Sequence, residues 1–175
     1  LIVCAGECES FSFATPIGIG LVNAAINLTK LVLTNKPKEL VFIGTAGLYK
    51  SGKILEIYES FEARNLEISK ILGFSYSPLQ GQNLTNVSRE TILTNSSNFI
   101  TTNKELAHKF YDFGFFMENM ELYSILEVGK KFEIPSYGIL CATNFCDENA
   151  HADFIKNHND AKKRLEEYVK SKGLI

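Results

Sequence analysis

At 175 residues, with 45% hydrophobic and 22% charged residues, the chain carries enough apolar material for a substantial single-domain core. A net charge of −2 leaves no basic footprint for nucleic acid or an anionic membrane, and no apolar run approaches the roughly 20 residues that span a bilayer. Cys4, Cys8, Cys141 and Cys146 form no Cys-x-x-Cys pair, so neither a metal site nor a disulfide framework is expected, and a reducing cytoplasm is the expected setting.

Leu1–Ala5 reads as a short buried strand ending in Gly6, with Glu7 and Glu9 just beyond it. Ile17-Gly18-Ile19-Gly20 places two glycines ahead of an amphipathic segment. Leu21, Ala24, Ala25, Leu28, Leu31 and Val32 keep helical spacing to about Asn35. Lys36-Pro37-Lys38 breaks that helix, and Glu39–Ile43 opens a second strand. It ends in Gly44-Thr45-Ala46-Gly47, small residues that let a ligand approach backbone N–H groups.

Ile54–Glu62 reads as a further strand, and Gly73–Arg89, with Pro78 and Gly81, as a loop. Thr91–Leu93 returns as a strand, and Asn103 is placed to cap a helix running to Tyr111. Phe113–Phe116 reads as a buried strand with Met117 and Glu118 at its end. From Asn119 the spacing turns helical, with Leu122, Ile125, Leu126 and Gly129 on one face, until Ile134-Pro135 stops it. Tyr137–Ala142 is apolar almost without alternation, as a strand covered on both faces is, and Thr143-Asn144 follow at its end. Glu148–Lys170 is a charged amphipathic helix that Asn157-His158-Asn159 is expected to interrupt. Strands alternating with helices predict an α/β fold, a three-layer sandwich with a mixed central sheet, spanning residues 1–175 as one domain. In open α/β sheets ligands bind at the strand ends where Glu118 and Asn144 fall.

Met117-Glu118-x-x-x-x-Tyr123 followed by an apolar strand ending Thr143-Asn144 resembles the nucleoside phosphorylase and nucleosidase superfamily. Four further segments are similar to its motifs in the same order: Ile17–Gly20, Phe42–Gly47, Glu62-Ala63-Arg64 with Gly73-Phe74, and Asn95–Ile100. The resemblance implies cleavage of the bond between a ribose and a purine. Phe99 would stack on the base, with the Ile100 backbone facing its edge. Met117 and Glu118 would hold the ribose. Thr45, with Ala46 and Gly47 beside it, would lie beneath the sugar or its attacking nucleophile. Asn144 would contact purine N7, and Glu9 would position water in a nucleosidase. An amide donates only a hydrogen bond, whereas a carboxylic acid donates a proton. Asn144 therefore points to 6-oxopurines.

The resemblance implies phosphorolysis first, with inorganic phosphate as co-substrate and hydrolysis as the alternative. It also implies a homo-oligomer and no metal or organic cofactor. Two departures bear on the nucleophile. No Arg or Lys stands between Glu9 and Ile17, and Phe42 occupies a position where some phosphorylases carry Arg. A neighbouring subunit's Arg64 or Arg89 is the remaining source of a phosphate-binding cation. A non-catalytic nucleoside-binding relative is a third reading. Glu7 is a carboxylate equivalent in type to Glu9, and Glu121, one turn beyond Met117, is a further candidate for the pocket wall. His108, His151 and His158 show no base–nucleophile pairing and read as surface residues.

Overall fold

The computed structural model describes residues 1–79 and 91–175. Arg89 and the second half of the expected 73–89 loop lie outside the described residues. β1 (Ile2–Cys4) runs parallel to β2 (Thr15–Pro16) and to the first residues of β3 (Leu40–Leu48). β3 pairs along its whole length with β8 (Ser136–Phe145), also parallel, and β8 pairs antiparallel with β4 (Ile57–Ser60). The last two residues of β3 pair antiparallel with β7 (Met117–Asn119). β7 continues in parallel to β6 (Leu93–Ser96), and β6 to β5 (Glu62–Arg64). The sheet is therefore mixed, and β3 and β8 form its centre.

Central strands buried on both faces read as continuous apolar runs because neither side meets water. Leu40 and Phe42 face a core built with α1 (Leu21–Asn35) and α4 (Leu122–Lys131), through Ala24, Leu28, Ile125 and Val128. Val41 and Ile43 alternate to the opposite face, where Ala161, Leu165 and Val169 of α5 (Ala150–Ser171) cover them. Each fully buried Leu or Ile contributes roughly 1.5–3 kcal/mol of transfer free energy, so these two seams hold the three layers together. A third cluster packs α3 (Lys104–Asp112) through Ala107 and Phe110 against Tyr49, Leu93 and Phe115. The four-residue helix α2 (Ile68–Ile71) adjoins it and was not expected.

Three expectations need correction. Phe113–Phe116 is not a strand: Phe113 closes α3, Gly114 turns with φ of 101°, and the strand opens only at Met117. Asn95 and Ser96, beyond the strand expected over Thr91–Leu93, are buried within β6. Asn157–Asn159 does not interrupt α5, because Asn157 donates from Nδ2 to the Thr143 carbonyl at 2.8 Å and ties the unbroken helix to β8. Asn103 caps α3 as expected, its side chain accepting from the Leu106 N–H at 2.9 Å. Among the described residues no helix is long and apolar enough to cross a membrane.

Candidate active site

The carboxyl ends of β1, β3 and β8 open onto a cavity of about 270 Å³. β3 and β8 keep strict register up to Ala46 and Ala142, and then β8 takes one extra residue so that Gly47 faces Asn144. Such bulges re-aim side chains beside functional sites. Here the irregularity sets Thr143 and Asn144 into the cavity wall. Gly47 is required beneath them: a Cβ there would lie 2.8 Å from Cys146 Sγ and 3.0 Å from Asn144 Nδ2. The Thr143 hydroxyl donates to Asn144 Oδ1 at 2.9 Å, and Asn144 Nδ2 donates to the Phe145 carbonyl at 3.0 Å. This fixes the amide orientation and leaves its second N–H for a ligand.

Glu9 reaches the cavity from a tight turn in which its N–H donates to the Gly6 carbonyl at 2.9 Å. Its carboxylate accepts from the Thr45 hydroxyl and, at 3.3 Å, from the Thr45 N–H. Burial raises the Glu9 pKa, and the Thr45 contacts oppose that rise. Glu7 is exposed and does not line the cavity. The geometry therefore separates two carboxylates that the sequence left equivalent.

The second Met-Glu pair, Met120-Glu121, also enters the wall. Glu121 is 4% exposed. It accepts from the Gly20 N–H at 2.9 Å and from Asn119 Nδ2 at 3.2 Å. Gly20 stands at the start of α1 without a capping side chain of its own, so a carboxylate there complements the helix dipole. Burial, reinforced by the nearby charge of Glu9, pushes the Glu121 pKa from 4.5 up to about 7.

Glu118 is differently placed. It accepts from the Thr101 N–H at 2.7 Å, the Thr101 hydroxyl at 2.7 Å and the Tyr49 hydroxyl at 2.8 Å. Burial raises its pKa as well, against these three donors. Both oxygens are engaged by the protein, although Glu118 still borders the cavity. Met117 does not border it. Its side chain is fully buried in the core beneath α4, so Met117 is not placed for the expected ribose contact, and Met120 lines the wall instead.

Phe99 and Ile100 line the mouth and are 80% and 61% exposed. Thr45, Ala46 and Gly47 form the floor, as their small size suggested. Sequence reasoning missed Met120 and His151 in the wall and left Glu121 only as a candidate. The repeat of Met-Glu at a spacing of three was the available signal. Among the described residues neither Lys nor Arg lines the cavity, and no group of three or more His, Cys, Asp or Glu is placed to hold a metal ion.

No protein-family model matches the chain. The 5'-methylthioadenosine/S-adenosylhomocysteine nucleosidase of an Exiguobacterium is 26% identical over 160 residues, 78% of this chain and 69% of that protein. A mutant futalosine hydrolase of Helicobacter pylori superposes with a TM-score of 0.77 at 15% identity, over 97% of this chain and 96% of that one. The chain has the nucleoside phosphorylase and nucleosidase fold. The S-adenosylhomocysteine nucleosidase of Streptococcus pyogenes, in complex with 5-methylthiotubericidin, gives 0.75 at 15% identity, over 95% and 92% of the two chains. The likeness to these structures extends over nearly the whole chain and is one of fold.

Proposed function

We propose that the chain is a purine nucleosidase, cleaving the N-glycosidic bond of a purine ribonucleoside with water. The observation that carries this is the cavity wall: Glu9, Glu118 and Glu121 line it, and among the described residues no Lys or Arg does. A phosphate dianion is held well by charge-assisted hydrogen bonds, roughly twice as strong as neutral ones. This wall would repel it instead. The relatives named nucleosidase and hydrolase favour the same choice, so hydrolysis replaces phosphorolysis as the leading reading.

Glycosidic cleavage passes through an oxocarbenium-like sugar, which a carboxylate stabilises. Glu9, held on Thr45, orients the water and takes its proton as oxygen bonds to the anomeric carbon. Its raised pKa suits a base. Glu121 faces the ribose in place of Glu118, because the protein gives Glu118 three hydrogen bonds and Glu121 only two. The bonding pair leaves with the purine, and the free N–H of Asn144 stabilises the charge developing at the base. Because Asn144 donates a hydrogen bond and no proton, 6-oxopurines are the favoured leaving groups. Phe99 supplies a stacking surface at the mouth.

Release of free base from inosine, adenosine and 5'-methylthioadenosine, followed by chromatography for the wild type and Glu9→Gln, tests the reading. Base release that falls at least about a hundredfold in Glu9→Gln supports it. An equal rate in both proteins removes Glu9 from the mechanism. Asn144 favours a second reading, a nucleoside-binding protein without turnover, since an amide supplies no proton to the leaving base. Binding of all three nucleosides without any base release would establish that reading instead.

A further inference from the structure

The segment 97–101, between β6 and the Asn103 cap, carries Phe99 and Ile100 at the cavity mouth. Both side chains are largely exposed, so burial does not hold them in place. The ends of the segment are tied instead. At one end Asn98 Oδ1 accepts from the Leu21 N–H at 2.9 Å, at the start of α1. At the other end Thr101, only 7% exposed, donates to Glu118 from its N–H and from its hydroxyl, both at 2.7 Å.

Glu118 is itself fixed. The Tyr49 hydroxyl donates to it at 2.8 Å, Asn95 Nδ2 donates to the Tyr49 oxygen at 3.2 Å, and the Tyr49 ring stacks on Phe110 with centroids 4.8 Å apart. Asn95 is fixed in turn by accepting from the Leu66 N–H at 2.8 Å. A buried, hydrogen-bonded chain of groups therefore ends in two hydrogen bonds to an exposed apolar rim.

We propose that Glu118 is a positioning residue: through Thr101 it sets the pose of Phe99 and Ile100 over the cavity and so sets affinity for the base. The inference rests on the purine-nucleosidase reading for the identity of the ligand. A carboxylate accepting two bonds from one residue restricts that residue more than a single contact would. With Asn98 held on α1, the two residues between the ties have little freedom to swing away. The clasp acts on binding and leaves the groups around the sugar where they are.

The test uses Thr101→Val, Thr101→Ser and Glu118→Gln, with three readouts. These are hydrogen exchange of the 97–102 backbone amides, calorimetric affinity for free hypoxanthine and adenine, and kcat and KM for the corresponding nucleosides. Thr101→Val and Glu118→Gln should each speed exchange in the segment and raise KM and the base Kd about tenfold, as loss of one hydrogen bond to a charged group does. Their kcat should stay within about twofold. Thr101→Ser, which keeps the hydroxyl, should restore the wild-type values. The double variant Thr101→Val/Glu118→Gln should be little worse than the more impaired single one, because both act on the same tie.

A fall in kcat at unchanged KM in Glu118→Gln would put Glu118 on the sugar and overturn the proposal, as would unchanged exchange and Kd in Thr101→Val. If the wild type binds no purine while exchange in the segment still responds to both substitutions, the nucleosidase reading fails and the clasp stands. If purine binds and exchange does not respond, the clasp fails and the nucleosidase reading stands.

Discussion

Glu121→Gln probes a buried carboxyl whose charged form burial disfavours. A carboxyl whose pKa is carried from 4.5 to about 7 on folding is harder to ionise in the folded chain than in the unfolded one. The folded state then binds more protons between those two pH values, and stability falls as pH rises through the interval. Each pKa unit corresponds to about 1.36 kcal/mol, so the loss between pH 4.5 and 7 totals about 3 kcal/mol. It is complete above about pH 7 and absent below about pH 4.5. Gln has the same shape and keeps the acceptor for the Gly20 N–H. Its NH2 group, however, meets Asn119 Nδ2, which now donates at 3.2 Å, and two facing donors cost about 1–2 kcal/mol. Urea unfolding from pH 4.5 to 8 should therefore show Glu121→Gln equal to or below the wild type at acid pH. At pH 8 it should be more stable by about 1–2 kcal/mol, with the difference between the two curves changing by about 3 kcal/mol overall. Parallel curves would refute burial and the Glu9 charge as the cause of the raised pKa. Base release should fall sharply in the same variant, a separation of activity from stability that a purely structural carboxylate would not show.

Asn144→Asp should raise adenine release relative to hypoxanthine release by about a hundredfold, because a carboxylic acid adds a proton donor at the base. Equal loss on both substrates would make Asn144 structural. Gly47→Ala should cost about 1–3 kcal/mol, since its Cβ would meet Cys146 Sγ at 2.8 Å and Asn144 Nδ2 at 3.0 Å. The check is the thermal midpoint, with a fall of roughly 2–4 °C expected per kcal/mol. Asn103→Ala removes the α3 cap and should cost about 1 kcal/mol without changing KM beyond what stability explains.

The central architecture was legible because β3 and β8 are covered on both faces, and only long apolar runs such as Leu40–Ile43 and Tyr137–Ala142 satisfy that burial. The strand-end residues Thr45 and Asn144 followed from it. The Met-Glu assignment did not. Met117-Glu118 and Met120-Glu121 are chemically alike, and only the antiparallel pairing of Leu48 with Met117 and Gly47 with Glu118 fixes which pair belongs to the strand. That pairing joins residues some 70 positions apart and leaves no local periodicity. The hydrogen bonds that occupy Glu118 come from Tyr49, 69 positions away, and from Thr101, 17 positions away, and neither leaves a local pattern. Glu9 was separable from Glu7 only once the turn at Gly6 had brought it against Thr45. Phe113–Phe116 looked like a strand because its four aromatic and glycine residues are compatible with either state. Packing of Phe115 against α3 decided the outcome.

The nature of the nucleophile is tested most directly by the sugar product. Wild-type protein is incubated with inosine in phosphate-free buffer and again with added phosphate, and ribose and ribose 1-phosphate are separated and quantified. A cavity walled by Glu9, Glu118 and Glu121 predicts free ribose at the same rate in both buffers, and its loss in Glu9→Gln. Ribose 1-phosphate formed only when phosphate is present would contradict hydrolysis and require a cation from a neighbouring subunit or from outside the described residues.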